Sequence, residues 1–412
     1  MTARLTRLPN GIRVVSETRR TLQSVAVGVW VDVGARHETE ALNGITHCLE
    51  HMVFKGTKRR SARDIAFEIE AVGGHLNAYT SREQTTFYAR VMRDDLPLAL
   101  DLLSDILLHS ELDPAELTRE QEVIVQEIGQ ANDTPDDIVF DYLQEACFKA
   151  QPLGRSILGT EDTVRSFTRD SLIGHIDRHY VGRNMVVSAV GSIDHDEFVQ
   201  AVEAAFGHVQ VGDVRSDQKA QFVGGRHLDV RDLEQVHLTL GWGGPSFHDD
   251  DYYPMQLYST VLGGGMSSRL FQEVREKRGL VYSVYSFASS HADTGMFGIY
   301  AGTGPEMAEE LLPVVRGEIE KLAAELPEAE LNVARAQLKA GLVMGMEATT
   351  SRMEQLARQI LLFDRIIPVD EILSDIDAVT PEAVQAVAHR IAQEKTPAMA
   401  VIGDSIIEKM QY

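Results

Sequence analysis

The chain has 412 residues, of which 44% are hydrophobic and 25% charged, and its formal net charge is −23. These values are typical of a soluble globular protein of two or three domains, and they exclude a fibrous or disordered chain. An acidic chain repels phosphate backbones and attracts basic ligands, so nucleic acid is not an expected partner, although general solubility accounts for most of this charge.

The first half alternates between strand and helix patterns. Apolar residues with a period of two predict strands, and longer amphipathic stretches predict helices. One helix has a clear start, because Asp113 suits the N-cap, Pro114 the first helical position and Glu116 the third. The predicted strands are 12–17, 24–34, 75–80, 84–92 and 185–191, and the predicted helices are 43–55, 61–72, 94–109, 114–132, 134–150, 160–164, 169–180 and 194–206.

The second half repeats the order of the first. The segment 233–242 echoes the strand at 22–30, and the helix–Gly–strand–strand order of 61–92 recurs at 266–303. This is an internal duplication rather than a short solenoid repeat. We therefore predict an α+β protein of two homologous α/β-sandwich domains, in which helices cover a mixed or antiparallel sheet. The predicted domains are 1–210 and 228–412, joined by a polar, glycine-bearing linker at 211–227.

The segment His47-Cys48-Leu49-Glu50-His51 carries the most informative pattern of the chain. On a helix, His47 and His51 are four residues apart and share a face, so their imidazoles can bind one divalent metal ion. Glu50 flanks the same site, and the order H-x-x-E-H inverts the common zinc-protease motif. Cys48 is turned away from this face. The alternative is a helix with two histidines on a wet face.

A catalytic zinc site usually needs a third protein ligand. The helix predicted at 114–132 offers Glu116, Glu120, Glu122 and Glu127. Glu120 and Glu127 lie on one face with apolar neighbours, and buried carboxylates are rare unless they are paired or metal-bound. Glu116 and Glu122 fit a solvated acidic face better. The residues alone therefore leave both Glu120 and Glu127 as candidates.

Together with the segment 73–80 (GGHLNAYT), these motifs resemble the pitrilysin/insulinase family of zinc peptidases. Within that family the chain is similar to the branch of mitochondrial processing peptidase and its bacterial relatives, over essentially its whole length. The resemblance implies the processing-peptidase-like metallohydrolase fold and one Zn²⁺ per chain, bound by His47, His51 and Glu127. It implies that Glu50 is the general base that activates water, and that Glu120 orients a ligand from outside the coordination sphere.

The same resemblance suggests where a substrate binds. Asn77, Ala78 and Tyr79 correspond to the family's substrate-binding edge strand, to which an extended peptide adds by main-chain hydrogen bonds. The alternative is an ordinary core strand. The substrates implied are extended peptides, and the acidic chain favours basic ones, including presequences.

The second half has no H-x-x-E-H motif, but it contains a second signature. The segment from Gly263 through Arg275 to Tyr282 is similar to the C-terminal signature of the family. In relatives, the matching arginine holds a substrate carbonyl and the matching tyrosine stabilises the oxyanion. The alternative for this chain is a surface arginine and a core tyrosine.

Three kinds of assembly are compatible with the sequence. In the first, the chain is an active endopeptidase that forms a homodimeric chamber. In the second, it is the catalytic subunit of a heterodimer with a non-catalytic partner. In the third, it is a non-proteolytic core protein; such relatives have eroded zinc motifs, whereas the motif here is intact.

The cysteine content and the hydropathy pattern indicate the compartment of the protein. The two cysteines, Cys48 and Cys147, do not suggest a disulfide framework and favour a reducing environment. No apolar run is long enough to span a membrane, and the first residues lack a signal-peptide pattern. We expect a bacterial cytoplasmic protein, or alternatively one of the mitochondrial matrix after processing.

Overall fold

The computed structural model describes residues 3–213, 218–410 and 412. Within these residues, six strands form the first sheet. The strands are β1 (Ala3–Arg7), β2 (Arg13–Thr18), β3 (Ser24–Val31), β4 (His75–Thr80), β5 (Thr85–Met92) and β6 (Met185–Gly191). Their order is β1-β2-β6-β3-β5-β4. β2 and β6 are parallel and the other neighbours are antiparallel. Among the described residues β4 pairs with β5 alone, so it is an edge strand.

Eight α-helices accompany this part of the chain. They are α1 (Ile45–Met52), α2 (Ala62–Ala71), α3 (Leu96–Leu108), α4 (Pro114–Asn132), α5 (Pro135–Cys147), α6 (Glu161–Ser166), α7 (Arg169–His179) and α8 (His195–Phe206). Helix α3 packs on β3 and β5, α8 packs on β2, and α1 contacts β4. Alternate residues of β3, including Val25 and Val27, join Leu49 and Phe198 in this buried core.

The second sheet has five strands and belongs to the second half of the sequence. The strands are β7 (Arg226–Val230), β8 (Val236–Gly244), β9 (Val281–Ser290), β10 (Gly295–Thr303) and β11 (Ala398–Gly403). Their order is β7-β11-β8-β10-β9. The accompanying helices are α9 (Tyr252–Gly263), α10 (Ala308–Ala324), α11 (Glu328–Gly345), α12 (Thr349–Phe363), α13 (Val369–Ala378) and α14 (Pro381–Gln393). A π-helical segment, Phe271–Lys277, precedes β9.

Each sheet is covered on its other face by a helix from the opposite half of the sequence. Helix α12 packs on β2, β3 and β6, where Trp30 lies among buried residues that include Met353 and Ile360. Arg352 of α12 also pairs with Glu17 of β2 at 2.8 Å, and both side chains are almost fully buried. Helix α5 packs in the same way on β8 and β11 of the second sheet.

The chain forms two compact units, each made of segments that are not continuous in sequence, because α12 groups with the first sheet and α5 with the second. The first consists of Met1–Gly129, Ser156–Asp217 and Met344–Ile367. The second consists of Gln130–Arg155, Gln218–Val343 and Pro368–Tyr412. The predicted linker, 211–227, stays a prediction, because residues 214–217 within it lie outside the described residues.

The predicted fold class, two related domains of mixed helices and sheets, is confirmed. Most predicted elements of the first half appear within a few residues of their expected bounds. Strands β1, β7 and β11, which have only five or six residues each, were not predicted from the sequence. The helix with which the repeated order at 266–303 was expected to begin is largely the π-helical segment Phe271–Lys277. In the described part of the chain, no helix combines the length and hydropathy needed to cross a bilayer.

Candidate metal centre

Helix α1 is oriented by an apolar face and by a buried cap. Ile45, Cys48, Leu49 and Met52 are fully buried in the core of the first unit. The opposite face, with the two motif histidines, is only partly buried. The carboxylate of Glu38 accepts hydrogen bonds from the backbone N–H groups of residues 44 and 46, at 2.7 and 2.8 Å. These bonds satisfy N–H groups that the first turn of a helix leaves without partners.

Helix α4 supplies the acidic side of the site. Its predicted N-cap is present, because the Asp113 carboxylate accepts hydrogen bonds from the N–H groups of residues 115 and 116. Glu116 pairs with Arg119, and Glu122 pairs with Arg165. These two glutamates are therefore engaged in exposed ion pairs, as expected for a solvated face.

The ligand atoms of His47, His51 and Glu127 converge. Glu127 Oε2 lies 3.8 Å from His47 Nε2 and 3.6 Å from His51 Nε2. One ligand atom from each of the three residues lies within 4.8 Å of the others. Tetrahedral zinc with bonds of about 2.1 Å separates its ligands by about 3.4 Å. Two imidazole nitrogens and one carboxylate oxygen at these separations fit a zinc ion.

The two histidines are held in forms suited to metal binding. The His51 imidazole donates from Nδ1 to Glu120 Oε2 at 3.1 Å, which leaves Nε2 directed at the cluster. Burial, and secondly the charge of His51, lowers the pKa of His47 to about 4. Neutral imidazole is the form that binds a metal. Cys48 is fully buried, and burial raises the pKa of its thiol to about 12, so it stays a thiol near neutral pH.

Glu50 lies beside this cluster without belonging to it. The Thr80 hydroxyl donates a hydrogen bond of 2.6 Å to Glu50 Oε2. Burial raises the pKa of the Glu50 carboxyl, and the bond from Thr80 partly offsets this shift. A raised pKa brings a carboxylate closer to the range in which it can both accept and return a proton. The arrangement therefore pairs three possible metal ligands with one possible base.

The predicted substrate strand is β4, whose outer edge pairs with no strand of the described residues. Asn77 Oδ1 accepts a hydrogen bond from the N–H of Ala78 at 2.9 Å. The Tyr79 hydroxyl donates to Glu354 of α12 at 3.0 Å. Thr80, the last residue of β4, contacts Glu50, so this edge strand ends at the possible base. An edge strand can add an extended peptide by main-chain hydrogen bonds.

Comparison with known proteins identifies the family. A family model described as Insulinase (Peptidase family M16) matches residues 13–161, and a second, Peptidase M16 inactive domain, matches residues 166–338. An uncharacterized zinc protease of Streptomyces coelicolor is 42% identical over 98% of this chain and 90% of its own length. The chain belongs to the insulinase family of peptidases, family M16. The family predicted from the sequence is thus confirmed, as is its activity as a metalloendopeptidase.

Other M16 relatives support the same assignment. An uncharacterized zinc protease of Bacillus subtilis is 40% identical over 96% of this chain and 97% of its own length. A probable mitochondrial-processing peptidase subunit beta of Arabidopsis thaliana is 37% identical over 97% of this chain and 78% of its own length. The crystal structure of a protease from Helicobacter pylori has a TM-score of 0.90 over 98% of this chain and 99% of its own, at 22% identity. That likeness shows the shared fold.

The second unit of this M16 peptidase contains the two remaining predicted residues. Arg275 lies in the π-helical segment, with its guanidinium 4.8 Å from the centre of the Phe271 ring. Tyr282 lies in β9, and the residue is 67% exposed. Tyr282 is therefore not a core tyrosine, and both side chains stay candidates for contact with a substrate.

Several contacts of the candidate metal centre were not expected from the sequence. Thr80 belongs to the segment that carried the resemblance, but nothing in its spacing indicated a bond to Glu50. Glu38 is separated from α1 by a short segment that contains a 3₁₀ turn, Glu40–Leu42, and its role as a cap depends on how the chain folds back. The spacing of Ile45, Cys48, Leu49 and Met52 indicates which face of α1 is buried, but not the group that caps the helix.

Proposed function

We propose that this M16 peptidase is a zinc endopeptidase that hydrolyses extended, basic peptides, with one Zn²⁺ per chain bound by His47, His51 and Glu127. The observation that carries the proposal is the convergence of two imidazole nitrogens and one carboxylate oxygen beside Glu50. The net charge of −23 favours basic substrates, including presequences. A bacterial cytoplasmic location stays part of the proposal, with the mitochondrial matrix as its alternative.

The proposed mechanism assigns one task to each side chain. Zinc, when bound, supplies Lewis acidity that polarises a peptide carbonyl and lowers the pKa of water. Glu50 accepts the proton of the attacking water on its carboxylate and returns it to the leaving amine. Thr80 holds Glu50 Oε2, and Glu120 holds His51 through Nδ1. The free edge of β4 binds the peptide main chain through Asn77–Tyr79, which recognises extension rather than a particular sequence.

Arg275 and Tyr282 complete the proposed chemistry. An arginine can hold a substrate carbonyl, and a tyrosine hydroxyl can donate to the oxyanion that forms in the transition state. We propose that two copies of the chain form a closed chamber in which this pair serves the metal centre of the partner. The chain carries both the metal motif and the pair, so a homodimer needs no other subunit.

A heterodimer is the second candidate assembly. It is favoured by one observation, namely the likeness to an Arabidopsis relative whose name describes a subunit beta. In that case a non-catalytic partner supplies the contacts from the opposite half. The size-exclusion mass and the activity of the purified chain distinguish the two assemblies, because only the homodimer is active alone.

The function is tested by incubating the purified chain with a mixture of basic peptides, with and without a metal chelator. Cleavage sites are mapped by mass spectrometry. We expect internal cuts that stop with chelator and return when zinc is added. The Glu50→Gln variant is the matched control for a contaminating protease. Cuts that persist in chelator or in the variant, or no cuts by a zinc-loaded chain, contradict the proposal.

A further inference from the structure

A chain of polar contacts leads from the metal centre to Lys55. The Lys55 ammonium lies 2.7 Å from Glu120 Oε1, and Glu120 Oε2 lies 3.1 Å from His51 Nδ1. The two contacts use different oxygens of one carboxylate. The plane of that carboxylate is therefore fixed at both ends, and with it the direction in which it accepts the proton of His51.

The burial of Glu120 makes its partner important. Its side chain is 7% exposed, whereas that of Lys55 is 32% exposed. A buried carboxylate is costly unless it is paired and hydrogen-bonded. Among the described residues, Lys55 is the only lysine or arginine that pairs with Glu120. Loss of the ammonium leaves Oε1 without this donor, and the side chain can then turn toward water and away from His51.

Lys55 is itself held by the segment that follows α1. Its backbone N–H donates to the carbonyl of Met52 at 3.1 Å. The next residue, Gly56, has φ of +128°, a conformation that side chains rarely adopt, and its carbonyl accepts from the N–H of Glu111 at 3.0 Å. Glu111 lies shortly before α4. This segment therefore connects the end of α1 to the start of α4, and Lys55 extends from it to Glu120 on that helix.

We propose that Lys55 is a positioning residue of the metal centre. It fixes Glu120, which in turn holds His51 with Nε2 toward the metal, so Lys55 raises the affinity of the site for zinc without contacting the ion. This inference rests on the proposed function, since it takes His51 to be a zinc ligand. Nothing in the H-x-x-E-H motif itself requires this lysine.

The test is a double-mutant cycle on zinc affinity, measured by competition between the metal-free protein and a chromophoric chelator. We expect Lys55→Met to weaken zinc binding about tenfold, the lower end of the range for groups that orient a metal ligand. Lys55→Arg keeps the cation and retains most of the affinity. In a Glu120→Gln background, Lys55→Met changes the affinity less than about twofold, because the amide still accepts from His51 but no longer attracts an ammonium.

Lys58→Met is the matched control, because Lys58 is an exposed lysine three residues further on. It should bind zinc like the unmodified chain. Thermal unfolding in chelator establishes that each metal-free variant is folded, and Lys55→Gln replaces Lys55→Met if the latter is not. Unchanged zinc affinity in folded Lys55→Met or Lys55→Gln, or an equal loss in the Glu120→Gln background, overturns the inference alone. An unmodified chain that binds no zinc overturns the proposed function with it.

Discussion

Removal of the Thr80 hydroxyl should slow catalysis without affecting the metal. The Thr80→Val variant keeps the shape of the side chain but loses the 2.6 Å hydrogen bond to Glu50. A hydrogen bond to a charged group contributes about 1.5–3 kcal/mol, and about 1.4 kcal/mol corresponds to a factor of ten in rate. Helix α1 still holds the backbone of Glu50, so we expect the lower end of that range, a loss of about tenfold in kcat.

The assay is steady-state cleavage of a basic peptide, with zinc content measured on the same samples. The expected pattern is a lower kcat with KM and zinc content unchanged, because Thr80 acts on the base and not on the ligands. Thr80→Ser restores the hydroxyl and should recover most of the activity. A Thr80→Val variant with full kcat would refute the positioning of Glu50, as would a serine variant as impaired as the valine variant.

Two further predictions concern assembly and acid stability. The first experiment refolds two inactive chains together in equal amounts: one carries Glu50→Ala, and the other carries both Arg275→Ala and Tyr282→Phe. The mixture should recover about a quarter of normal activity, since half the dimers are mixed and each mixed dimer has one complete site of two. Mixed dimers without activity would contradict action in trans. The second experiment concerns His175, whose pKa is lowered to about 3 by burial. As the pH falls below about 6.5, the unfolded chain therefore binds a proton at this imidazole and the folded chain does not. The free energy of unfolding should fall by about 2 kcal/mol from pH 7 to 5. The His175→Gln variant should lose less unfolding temperature between pH 7 and 5 than the unmodified chain. An equal loss in the variant and the unmodified chain would contradict His175 as the source of the acid sensitivity.

The local part of the candidate metal centre could be predicted from the sequence. His47 and His51 share a face because of helical periodicity, and the apolar residues between and around them determine which face is buried. Periodicity in α4 reduced the third ligand to Glu120 or Glu127. The resemblance then favoured Glu127, and in the structure Glu127 Oε2 is the carboxylate oxygen near both Nε2 atoms.

Contacts between segments distant in sequence could not be predicted. Lys55 lies 2.7 Å from Glu120, and Thr80 bonds to Glu50, but each pair is set by how separate elements pack. The same limit applies to α5, whose amphipathic pattern predicts a helix but not the sheet on which it packs. The short strand β1 was missed because its exposed and partly buried residues give little alternation.

The separation of metal ligand from base is the central claim, and paired metal analysis tests it most directly. Zinc content and peptide cleavage are measured on the unmodified chain, Glu50→Gln and Glu127→Ala after identical purification. If Glu50 is a base and Glu127 a ligand, Glu50→Gln keeps about one zinc ion per chain and loses cleavage, whereas Glu127→Ala loses both. Loss of zinc from the Glu50 variant, or tight zinc binding by the Glu127 variant, would contradict this division of roles.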